Sequence, residues 1–265
     1  MKLAISGKGG VGKTTLAAAL AIVFAKDKKK VFAIDCDPDA NLASAMGYEG
    51  KITPIIEMKK LISERTGAKP QALNSYFKLN PKIDDIPDKF AVRHRDIKIL
   101  SMGTIKKAGG GCLCPENTFL RNLLAHLIVN RDEVVIMDMV AGCEHLGRAT
   151  ASCVDAMIIV VQPDERSIET AKKIKDLAAG LGIKKVLLVA NKIRAKGDKK
   201  FIDEKTRDFN KIGVMNFDDD LLKARGLIKE GTKLFDEVKR VRRNLSIQYE
   251  KTSCRHSPLH RVSLL

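Results

Sequence analysis

The chain has 265 residues, 45% of them hydrophobic and 30% charged, enough to bury the core of one large α/β domain without disulfide staples. Its formal charge of +16 lies in short runs (KDKKK at 26–30, KK at 106–107, KGDKK at 196–200, KRVRR at 239–243), so nucleic acid, membrane or an acidic protein is not excluded as a partner, nor is a merely solvated surface. The start MKLAISGKGG has no basic segment followed by an apolar one, and no run of about 18 apolar residues occurs, which argues against export and membrane spanning and sets the expectation of a cytoplasmic protein.

The first apolar run, KLAIS (2–6), reads as a strand, and GKGGVGKTT (7–15) follows it and opens a helix over 13–26. That is the setting of a phosphate-binding loop. Glycines let the backbone N–H groups of Gly7, Lys8, Gly9, Gly10, Val11, Gly12, Lys13, Thr14 and Thr15 converge on phosphate oxygens, and the helix N-terminus adds positive potential. Lys13 is placed to reach the β and γ phosphates of ATP, and Thr14 offers a hydroxyl to Mg²⁺. The next strand, KVFAID (30–35), runs into DCDPDAN, where a carboxylate after a strand can orient a water molecule or only form a turn. Residues 68–96 hold three of the eight prolines and read as an irregular insertion leading to the strand IKILSM (97–102).

GGGCLCPEN (109–117) comes next, two cysteines one residue apart. In a reducing compartment Cys36, Cys112, Cys114, Cys143, Cys153 and Cys254 are buried, metal-binding or redox groups rather than a disulfide frame. Only Cys112 and Cys114 cluster. One chain then offers two thiolates, whereas a closed site for Ni²⁺ or Zn²⁺ takes four; a two-fold dimer supplies the other two. Two plain cysteines, a strained disulfide, or an iron–sulfur cluster that also uses Cys143 are the rival readings.

A helix over 117–130 leads to the strand EVVIMDM (133–139), whose Asp138 can hold Mg²⁺, directly or through water, across from Thr14. Gly142, four residues on, is placed to donate its N–H to the γ phosphate. Strands follow at 154–161, 185–191 and 212–217, with a helix at 167–182 and an amphipathic stripe through Leu234, Val238, Val241, Leu245 and Tyr249. Base recognition belongs beyond the late strand ends, where Asn191 can pair a donor and an acceptor with adenine; Pro163 and Asp164 are further candidates. The alternation predicts a mostly parallel sheet flanked by helices on both faces, one domain over 1–251, and a loose tail at 252–265.

With Lys8 after Gly7, together with DCDPDAN and DMVAGCE, the chain resembles the deviant Walker A ATPases of the MinD, ParA and nitrogenase-iron-protein type. The resemblance implies a homodimer in which Lys8 crosses to the partner's nucleotide, Asp37 orients the attacking water, and Asn191 contacts adenine. The flanks of the CxC, with ITPIIEMKKLISERTG (52–67), LNPKIDDIPDKF (79–90) and ANKIR, resemble the CooC-type maturation ATPases of carbon monoxide dehydrogenase. That implies an ATP-hydrolysing nickel chaperone, dimerising with nucleotide and metal, whose client is carbon monoxide dehydrogenase or acetyl-CoA synthase. A DNA- or membrane-binding positioning ATPase and a 4Fe–4S reductase are the alternatives.

Overall fold

The computed structural model describes residues 1–68, 77–103, 115–129, 132–140 and 148–253, with the backbone alone at 148–149 and 250–253. Among the described residues eight strands form one sheet: β1 (Lys2–Ser6), β2 (Val31–Asp35), β3 (Val92–His94), β4 (Ile97–Ser101), β5 (Val134–Asp138), β6 (Ala156–Val161), β7 (Val186–Ile193) and β8 (Asn210–Asn216). Their spatial order is β3-β4-β2-β5-β1-β6-β7-β8, all parallel except the β3–β4 pair. The helices are α1 (Lys13–Lys26), α2 (Leu42–Ala45), α3 (Lys59–Thr66), α4 (Ile86–Phe90), α5 (Pro115–Val129), α6 (Arg148–Ala151), α7 (Glu165–Gly180), α8 (Lys196–Lys205), α9 (Asp219–Lys223) and α10 (Lys233–Ser253).

The central strands are apolar without alternation because both of their faces are covered. On one face Phe32, Ile34, Met137, Ile159 and Leu188 meet the apolar stripes of α5 (Phe119, Leu123, Leu127) and α7 (Ile168, Ala171, Ile174, Ala178). On the other, Leu3, Ile5, Ile99, Ile136, Ile158 and Val189 meet α1 and the α10 stripe Phe235, Val238, Val241 and Leu245. Every residue of α1 from Leu16 to Phe24 is buried, which fits a helix packed between the sheet and its neighbours α2 and α10.

Part of the stretch read from sequence as irregular is ordered as α4 and the edge strand β3. A two-residue turn, Arg95 (φ 49°) and Asp96 (φ 61°), joins β3 to β4 with His94 facing Ile97, the backbone of a primed hairpin turn. Among the described residues no helix is long and apolar enough to cross a membrane. Residues 254–265 lie outside the described residues, and α10 continues to Ser253.

Candidate nucleotide site

The site lies beyond the carboxyl ends of β1 and β5, neighbours in the sheet that place Ile5 opposite Asp138. From Ser6 the chain passes tightly over β6: a Cβ on Gly7 would sit 2.4 Å from the Val160 carbonyl oxygen, so a side chain there would force the loop off the sheet. Gly12, left-handed at φ 97°, ends the loop as the N-cap of α1. Lys13, at the first position of that helix, is buried, and its Nζ donates to the Lys8 carbonyl at 3.3 Å.

Thr14 Oγ1 donates to Asp138 Oδ2 at 2.6 Å. Asp138 is 1% exposed and its Oδ1 has no hydrogen-bond partner, an orphaned buried oxygen of the kind that calls for an explanation. Burial pushes its carboxyl up to about 7, against the opposing pull of the Thr14 hydroxyl. A hydroxyl and a carboxylate with a spare oxygen suit Mg²⁺, a hard cation that takes oxygen ligands and keeps several waters. The donors present therefore fit that ion.

Asp35 lies directly beside Asp138 in the β2–β5 register. It too is buried, and burial raises its carboxyl to about 6. Its two oxygens accept from the backbone N–H groups of Asp37 (3.0 Å) and Leu42 (2.8 Å), so one buried carboxylate pins both ends of the loop that carries Asp37. Asp37 is itself half-buried and accepts from the Asp39 N–H at 3.1 Å. Between the two acids the Cys36 thiol is buried and pushed upward by burial, then by the carboxylates, which leaves it an inert packing group.

Lys8 turns away from the Thr14–Asp138 pair. Its Nζ lies 3.1 Å from Asp164 Oδ1, in an ion pair with both side chains about one-third exposed. Asp164 is the N-cap of α7, accepting from the Ser167 N–H at 2.8 Å as well as from Gln162 Nε2 at 2.6 Å. Pro163 precedes it, half-buried in the β6–α7 loop. Asn191, near the carboxyl end of β7, is 5% exposed; its Nδ2 donates to the Val11 carbonyl at 2.7 Å and its Oδ1 accepts from Lys192 N at 2.8 Å.

The structure thus brings Lys13, Thr14 and Asp138 together with Asp35 and Asp37 beside them, while Lys8 pairs with Asp164 next to Pro163 in the β6–α7 loop and Asn191 reaches the Val11 carbonyl. Cys112, Cys114, Gly142 and Cys143 lie outside the described residues. Among the described residues no group of three or more His, Cys, Asp or Glu side chains is placed to hold a metal ion. Sequence reasoning overlooked Asp35 and Lys192; the two-carboxylate spacing of D-C-D and a lysine following Asn191 at a strand end were the available signals.

The family model described as the CobQ/CobB/MinD/ParA nucleotide binding domain matches residues 2–228. An uncharacterised ATP-binding protein of Methanocaldococcus jannaschii is 46% identical over 232 residues, covering 86% of this chain and 90% of the relative. The carbon monoxide dehydrogenase accessory protein CooC of Rhodospirillum rubrum is also 46% identical, over 222 residues, covering 82% of this chain and 84% of the relative. Among solved structures, a plasmid partition protein of Borrelia burgdorferi bound to AMPPNP superposes with a TM-score of 0.66 at 18% identity, covering 93% of this chain and 98% of that one. MinD in the MinC:MinD complex of Aquifex aeolicus gives 0.65 at 20% identity, covering 98% of each chain. At those identities the structural likeness speaks for the fold. The matches in sequence carry the assignment: this chain is an ATPase of the CobQ/CobB/MinD/ParA nucleotide-binding family, of the CooC type.

Proposed function

We propose that the chain is a dimeric, ATP-hydrolysing metallochaperone that supports nickel insertion into carbon monoxide dehydrogenase or acetyl-CoA synthase. The observation that carries this reading is the 46% identity to a carbon monoxide dehydrogenase accessory protein over 84% of that protein's length, in a chain that also has a CxC. Lys13 and the N–H groups of residues 7–15 hold the phosphates of ATP, with Gly142 donating to the γ phosphate. Thr14 and Asp138 hold Mg²⁺, which supplies charge neutralisation at the β and γ phosphates. Asp37 orients the attacking water, and Asn191 and Pro163 flank the adenine.

In the same reading Lys8 acts on the partner's nucleotide, stabilising the charge of the transferring phosphoryl group as an arginine finger does, an effect of about 10³–10⁵ in rate. The ion pair with Asp164 is consistent with such a journey: both groups are partly solvated, and an exposed pair of this kind contributes only about 0–1 kcal/mol. Leaving Asp164 therefore costs little.

Cys112 and Cys114 of two subunits form one Cys₄ site for nickel, the cargo, or for Zn²⁺ in its place. Titrating reduced protein with Ni²⁺ tests this by stoichiometry. One ion per two chains, lost in Cys112→Ser and in Cys114→Ser but kept in Cys36→Ser and Cys153→Ser, is the expected result; one ion per chain, or binding unchanged in the first two variants, refutes the shared site. The +16 charge favours a second reading, a positioning ATPase acting on DNA or membrane. An absence of metal binding together with ATP-dependent retention on duplex DNA or anionic vesicles would replace the first reading with the second.

A further inference from the structure

The end of β7 grips the phosphate loop from outside at two consecutive carbonyls. Lys192 Nζ donates to the Gly10 carbonyl at 2.6 Å, and Asn191 Nδ2 donates to the Val11 carbonyl at 2.7 Å. These bonds join parts of the chain about 180 residues apart, at the edge of a loop whose internal contacts are long, from the Val11 N–H (3.4 Å) and Lys13 Nζ (3.3 Å) to the Lys8 carbonyl. A trans peptide points its C=O and the following N–H in opposite directions, and the described chain has no cis bond. Holding the Val11 carbonyl toward Asn191 therefore turns the Gly12 N–H to the opposite side of the peptide plane.

Two features tie backbone to this grip. Lys192 is left-handed, φ 60°, a conformation a lysine takes up rarely, and its N–H is held there by the Asn191 Oδ1. Gly12 has φ 97°, and a Cβ on it would lie 2.2 Å from Asn191 Nδ2, so the amide can reach the loop only past a glycine. The contact is thus built from both sides.

We infer that Asn191 and Lys192 are positioning residues that set the phosphate loop in its receiving conformation, acting on the triphosphate through the loop's backbone and independently of the base. The inference rests on residues 7–15 receiving the phosphates and goes beyond a role for Asn191 at adenine. A base contact and a backbone strut make different predictions for a ligand that has no base.

The test is calorimetric binding of inorganic tripolyphosphate with Mg²⁺ to the full chain, beside ATP. Asn191→Ala and Lys192→Ala should each weaken tripolyphosphate about tenfold, the scale of one lost hydrogen bond of roughly 1.4 kcal/mol. Lys192→Arg, which keeps a cationic donor, should restore most of the affinity. Lys192→Gly, which removes the left-handed strain together with the ammonium, should bind as weakly as Lys192→Ala. Tripolyphosphate affinity unchanged in Asn191→Ala while ATP affinity falls would leave Asn191 as a base contact only and overturn the strut; so would native affinity in Lys192→Gly. Lys13→Ala separates the two layers of the argument: if it too binds tripolyphosphate normally, the loop is not the phosphate site and the premise itself has failed.

Discussion

The two lysines of the phosphate loop sit in contrasting surroundings five residues apart. Lys13 is 6% exposed at the start of α1, beside the buried carboxylates of Asp138 and Asp35 and the half-buried Thr14 that donates to Asp138. Lys8 is on the surface, paired with an equally accessible Asp164. Burial makes the first group rigid, because any displacement strands polar atoms away from water. Partial solvation makes the second group movable, because water replaces whatever it leaves. The site therefore separates into a buried, fixed part and a partly solvated, movable part.

Substitutions at the two lysines should break this contrast in different ways. Lys13→Ala removes the phosphate clamp and should abolish both nucleotide binding and turnover, a rate loss of at least about 10²–10³. On the proposed in-trans role, Lys8→Ala should lower turnover by about 10³ while the monomer binds nucleotide normally, the lost cation acting on the transferring phosphoryl group alone. Equilibrium binding of a fluorescent ATP analogue beside steady-state hydrolysis separates the two phenotypes.

The buried half also has a pH signature. Asp35 and Asp138 titrate at about 6 and about 7 in the folded chain, well above their ordinary range, so between roughly pH 4 and those values the folded state holds protons that the unfolded state has lost. Stability of the nucleotide-free protein should accordingly fall as pH rises through this window, by at most about 1.4 kcal/mol per pH unit for each group, and level off at about pH 8, once Asp138 too has lost its proton in the folded chain. Asp138→Asn, neutral throughout, should flatten the slope and melt higher than the native chain at pH 8. Urea unfolding at pH 5, 6, 7 and 8 measures it. The exposed half should show the smallest effect: Asp164→Asn keeps an N-cap for α7 and should change stability by less than about 1 kcal/mol without loss of turnover.

The same contrast decides what the sequence could reveal. β1, β2, β5 and β6 were legible because strands buried on both faces are uninterrupted apolar runs, and the phosphate loop because glycine spacing and a lysine carry its chemistry directly. β3 was hidden: its turn is made by Arg95 and Asp96 at positive φ, where no glycine or asparagine announces a hairpin. The partners of Asn191 and Lys8 were hidden for another reason. Val11 is 180 residues from Asn191, and Asp164 is 156 from Lys8, so only the sheet order that sets β6 beside β1 and β7 beyond it makes them neighbours. Asp35 was passed over because one carboxylate in D-C-D looks like another until burial and its two N–H donors distinguish it.

The claim that one half of the site acts across a dimer is tested most directly by mixing two inactive variants. Lys8→Ala keeps Lys13, Asp37 and Asp138 in its own site but has no lysine to lend; Asp37→Asn lends its Lys8 but cannot orient water in its own site. Each alone should hydrolyse ATP negligibly. Mixed in equal amounts with Mg²⁺, they should regain turnover, because in the mixed dimer the Lys8→Ala chain receives the partner's lysine. A mixture no more active than the sum of the two separate variants would contradict the account.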